Sequence, residues 1–122
     1  MSMLALKEIH SPALAPGDDA IDLNHLSRMT LGERSLEREV LALFVRQADI
    51  LLAKMNLANP AIAAAAAHTL KGSAVGIGAW PVARAAEAVE QAVDAELPEA
   101  IGSLSVAIEQ AREAIAGLLR AH

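Results

Sequence analysis

The residues able to do chemistry are gathered in one short stretch, Ala67-His68-Thr69-Leu70-Lys71-Gly72-Ser73-Ala74-Val75-Gly76-Ile77-Gly78-Ala79. Successive residues of an α-helix turn by about 100°, so Lys71, Gly72 and Val75 fall close to the azimuth of His68, whereas Ala66, Leu70, Ala74 and Ile77 point the opposite way. The imidazole therefore faces water or a partner. Lys71, one turn along, is near enough to donate to anything attached to the ring. Gly72 adds no side chain, and inside an alanine-rich helix a glycine costs roughly 1 kcal/mol relative to Ala. A substituted imidazole that another protein must approach closely supplies a reason for it.

His68, Leu70, Lys71, Gly72, Ser73 and a second glycine ten residues after the histidine, Gly78, together resemble the signature of the histidine-containing phosphotransfer (HPt) domains. The pattern is specific because it joins a reactive residue, a cation and two glycines at fixed spacing. The likeness extends more weakly from about Ile21 to Leu119. It implies a phosphorelay intermediate of two-component signal transduction, in which His68 accepts a phosphoryl group from a receiver-domain aspartate and donates it to another. The partners implied are receiver domains of a hybrid histidine kinase and of response regulators.

On that reading Lys71 steadies the phosphorylated state, Gly72 and Gly78 give clearance, and Ser73 could add a hydroxyl, although its azimuth lies well round from His68. A neutral imidazole is a good nucleophile that needs no dedicated base. Phosphoryl transfer otherwise rests on alignment and charge neutralisation, usually by a divalent ion held on carboxylates. No acidic cluster adjoins His68 in sequence, so the chain is expected to hold no cofactor of its own and the partner receiver to bring Mg²⁺. Glu90, 22 residues after His68, stands where many similar domains have Gln. As a carboxylate it could accept from the ring N–H and fix the tautomer, while slightly repelling a phosphate.

Two other readings compete. A non-catalytic adaptor could use the same bundle to bind receivers, and a purely structural bundle would make the motif accidental. The kinase itself is disfavoured: dimerising kinase helices usually carry an acidic residue directly after the histidine, where this chain has Thr69, and no glycine-rich nucleotide-binding motif accompanies it. No ATP-dependent kinase activity is expected.

Composition sets the bounds. The 122 residues suit one domain, and the absence of cysteine excludes disulfide scaffolds and thiolate metal sites. Hydrophobic residues make up 54% but aromatics only 2%, which favours an alanine-rich helical bundle. A net charge of −5 argues against nucleic acid, which demands clustered Lys and Arg. No stretch reads as a signal peptide or a membrane span, so a cytoplasmic protein is expected. His10, His25 and His122 lack ligand-like spacing, and no metal site is expected.

The elements that must position the motif follow from periodicity and caps. Residues 1–17, with Pro12, Pro16 and Gly17, read as a flexible tail ahead of a helical domain over residues 18–122. Asp22 caps a short helix through Leu23 and Leu26. A long helix is expected from about Leu31 or Gly32 to Leu57, with Leu36, Val40, Leu43, Phe44, Ile50 and Leu51 on one stripe and Leu41, Val45, Ala48 and Leu52 on a second beside it. Asn59-Pro60 starts the helix that carries the motif, ended by Gly76 and Gly78. Trp80-Pro81 starts a fourth, with Val82, Ala85, Ala86, Val89 and Val93 inward. Pro98 starts a fifth, whose seam is Ile101, Leu104, Ile108, Ala111, Ile115 and Leu118.

Short connections favour antiparallel neighbours. The expected fold is all-α, an antiparallel up-down-up-down four-helix bundle with a short N-terminal helix across one end. A monomer is expected, the exposed part of the second helix's double stripe being the alternative as a dimer surface.

Overall fold

The computed structural model describes residues 19–57 and 59–121. Helix α1 spans Leu23–Met29, α2 Arg34–Leu57, α3 Pro60–Ile77, α4 Trp80–Gln91 and α5 Leu97–Ala121, with a single 3₁₀ turn at Asp94–Glu96 before α5. Among the described residues there is no strand. The long helices form an all-α bundle in which α2 packs on α3, α3 on α4, α4 on α5, and α5 back on α2. The residues expected to form a tail, 1–17, lie outside the described ones.

The starts and stops are local chemistry. Asp22 accepts from the backbone N–H of His25 (3.1 Å) and Asn59 from that of Ile62 (2.9 Å), so each cap satisfies a donor that its helix leaves orphaned. Helix α2 starts later than Leu31 or Gly32, because Leu31 (φ 55°) and Gly32 (φ 74°) take left-handed backbone that a helix cannot continue through. Gly76 stays inside α3; Gly78, at φ 78°, ends it alone, and the Ala79 N–H donates back to the Ala74 carbonyl oxygen (2.8 Å).

The core is aliphatic. Leu41, Leu70, Val82, Val89, Leu104 and Ile115 are its largest fully buried side chains. Helix α3 turns Ala63, Ala66, Ala67 and Ala74 inward, and these small side chains let its neighbours approach closely. Helix α2 buries Leu41, Phe44, Ala48, Leu51 and Met55. That corrects the double-stripe reading: Leu36, Leu43 and Ile50 face water. They recur every seven residues, which drifts only about 20° per step on a straight helix. They therefore form a stripe of their own, roughly 130° round α2 from the buried one. Val93 is a second correction, since α4 ends at Gln91 and leaves it 61% exposed.

One junction ties α1 to the rest. The Asp22 N–H donates to the Gly78 carbonyl oxygen (2.8 Å), and the Trp80 indole N–H donates to Asp22 Oδ2 (2.9 Å). The indole bond first, then the cap bond from His25, holds the Asp22 carboxyl below its ordinary 3.8.

Candidate functional site

Helices α3 and α4 are separated only by Gly78 and Ala79, so α4 folds back along α3. His68 and Glu90 each lie eleven residues from Ala79 and thus arrive at the same level of this hairpin. The Nδ1 of His68 is 2.7 Å from Glu90 Oε2. An ionised carboxylate only accepts, so the proton of a neutral ring sits on Nδ1 and Nε2 carries the lone pair. The His68 side chain is 69% exposed, against 26% for Glu90. The free nitrogen therefore belongs to an accessible ring, while its anchor is largely covered.

Lys71 approaches the same carboxylate from α3, its Nζ 3.4 Å from Glu90 Oε1. One carboxylate thus gathers an imidazole and an ammonium that lie nearly a turn apart on α3. The bond from His68 is the main reason that the Glu90 carboxyl sits below its ordinary 4.5; partial desolvation opposes it and Lys71 adds to it. The carboxylate is hence fully ionised at neutral pH.

Gly72 is exposed, and a Cβ built on it would meet nothing within 4 Å. A Cβ on Gly76, one turn on and half-buried, would likewise meet nothing within 4 Å; sequence reasoning took this residue for a helix end. Together they leave a bare lane beside the ring. The signal for Gly76 was its i+4 spacing from Gly72.

Ser73 is not brought to His68. Its hydroxyl donates to Gln47 Oε1 (2.7 Å) and so links α3 to α2. Gly78 lies at the hairpin turn, where a Cβ would come within 3.0 Å of Asp22 Cβ and of the Asp22 carbonyl oxygen. Its place is structural clearance for α1 rather than space at the imidazole. Gln47 is the residue that sequence reasoning missed, for nothing in its own period marks it.

Among the described residues no group of three or more His, Cys, Asp or Glu is placed to hold a metal ion. No described helix is long and apolar enough to cross a membrane. What remains is an outward imidazole with one nitrogen anchored, a cation beside it and open space along the helix.

No curated protein and no solved structure matches the chain significantly. A family model described as Hpt domain matches residues 39–121, which take in α2 from Glu39 onward and the whole of α3, α4 and α5. The chain belongs to the Hpt domain family.

Proposed function

We propose that His68 is the phosphoacceptor through which this chain performs the histidine phosphotransfer of its family. The observation that carries the reading is the pairing of Nδ1 with Glu90, which leaves Nε2 of an exposed ring as the nucleophile. In the accepting step the Nε2 lone pair attacks phosphorus of a receiver's aspartyl phosphate, an N–P bond forms, the P–O bond breaks, and the aspartate leaves as carboxylate. Donation to a second receiver runs the same exchange in reverse.

Lys71 is placed to exchange its contact with Glu90 for one with the phosphoryl oxygens. At about 4 Å in water each charge pair is worth roughly 1 kcal/mol, enough to lengthen the life of the phosphorylated state several-fold but not to drive the reaction. Mg²⁺, with the carboxylates that hold it, comes with the receiver. Receivers of a hybrid kinase and of response regulators are the proposed partners. The bundle is read as up-down-up-down: Arg38 donating to the Leu119 carbonyl oxygen (2.9 Å) and Arg112 to Asp49 Oδ2 (3.3 Å) support α5 running against α2.

Incubation with a panel of phosphorylated receivers should place an acid-labile, alkali-stable label on the wild-type chain and none on His68→Gln. Label retained by that variant rejects the assignment. Receiver binding without label in either protein favours an adaptor instead.

A further inference from the structure

Helix α2 carries an apolar stripe that its own bundle does not cover. Leu36 is 37% exposed, Leu43 54%, Ile50 62% and Leu57 89%. The four recur every seven residues over 21 residues, about 32 Å of helix at 1.5 Å per residue. A strict seven-residue apolar repeat is the pattern by which one helix seats against another with slight left-handed supercoiling.

The flanking charges separate into two sets. On the side toward α5, Arg38 and Asp49 are spent inside the molecule, on the Leu119 carbonyl oxygen and on Arg112. Glu39 and Lys54, exposed beside the stripe, make no ion pair among the described residues.

We propose that α2 pairs with α2 of a second copy of this chain, antiparallel, along this stripe. The register that seats Leu36 against the copy's Leu57 and Leu43 against the copy's Ile50 also sets Glu39 opposite the copy's Lys54. Twofold symmetry makes that ion pair twice, as an isologous contact requires. A parallel pairing would instead set Glu39 on Glu39 and Lys54 on Lys54. Read outward from its midpoint, the stripe gives apolar, charge, apolar in both directions, with the charges of opposite sign. That makes it complementary to itself, and it argues for a copy rather than another apolar partner.

The association is weak. Four large side chains per copy fall short of the roughly 1,600 Å² of a standard interface, and the two Arg46 side chains lie near the axis, where their charges oppose. A dissociation constant on the order of 10–100 µM is expected. Gln47 lies between Leu43 and Ile50 and holds Ser73, so the stripe borders the helix of His68. A copy seated there competes with a receiver for that flank; this consequence, unlike the dimer itself, rests on the phosphorelay reading.

Sedimentation of the full chain across about 1–500 µM tests it. The weight-average mass should climb from 12.7 kDa toward twice that value. Glu39→Lys and Lys54→Glu should each weaken association about fivefold or more, and the double reversal should restore it to within about twofold. Ile50→Glu should hold the chain monomeric with an unchanged helical signal, since Ile50 is outside the core. A wild type that stays monomeric throughout overturns the proposal, as does a double reversal that fails to restore association; if Ile50→Glu then also blocks transfer, the stripe belongs to the receiver. His68→Gln should dimerise normally, so label retained by that variant with dimerisation intact counts against the relay reading alone.

Discussion

Glu90 Oε2, 2.7 Å from Nδ1 of His68, accepts a hydrogen bond only as long as it offers a lone pair, and the bond itself keeps the carboxyl below its ordinary range. Glu90→Gln retains an acceptor oxygen and removes the charge that competes with a phosphoryl group for Lys71. The expected result is a ring still largely protonated on Nδ1, seen by imidazole nitrogen NMR, and a longer-lived phosphorylated state. Glu90→Ala should lose the tautomer preference altogether. The sign of the pH dependence follows from the lowered value: the stability that Glu90 adds is fully present above its ordinary 4.5 and is lost as pH falls through the lower folded-state value. Acid titration of wild type against Glu90→Gln should therefore show a stability gap above about pH 4.5 that closes in stronger acid. The histidine and the lysine were legible from their spacing on one helix; that Glu90 joins them was only a candidate until the hairpin was seen.

Gly72 inside α3 and Gly78 at its end do opposite things. Gly72 lies mid-helix in open space, so Gly72→Ala should stabilise the protein by roughly 0.5–1 kcal/mol while slowing transfer from receivers by narrowing the lane beside His68. Gly78 lies at positive φ with Asp22 3.0 Å from where a Cβ would stand, so Gly78→Ala should destabilise by about 2 kcal/mol and loosen α1. Denaturant titrations of both variants beside a transfer assay check the pair. An equal loss of stability in the two would show that Gly72 is also structural. The sequence motif gave the glycines one joint role in clearance, because spacing from His68 does not say on which side of the helix end each one falls.

For the whole molecule, the site is positioned by the core beneath it. Leu70 lies between His68 and Lys71 in sequence yet is fully buried, so Leu70→Ala should cost roughly 2–5 kcal/mol, read as a lower denaturation midpoint at unchanged slope. Leu43→Ala, on the exposed stripe of α2, should change stability by less than about 0.5 kcal/mol. The contrast separates a leucine of the core from one on the uncovered face of α2. Helix existence, caps at Asp22 and Asn59 and the seam of α5 were readable in advance. The allocation of the stripes on α2 was not, because neighbours decide which of two apolar faces is covered.

The sequence by itself determined that the chain is helical, that His68 and Lys71 share one outward face, and that glycine leaves space beside them. These are properties of a 3.6-residue period and need no partner helix. Only the tertiary structure decided that Glu90 meets His68, that Ser73 turns to Gln47, that Gly78 serves α1, and that Leu43 and Ile50 remain in water. Each of these depends on which helix packs against which face, and that choice is made by the shape of the whole core rather than by any local run of residues.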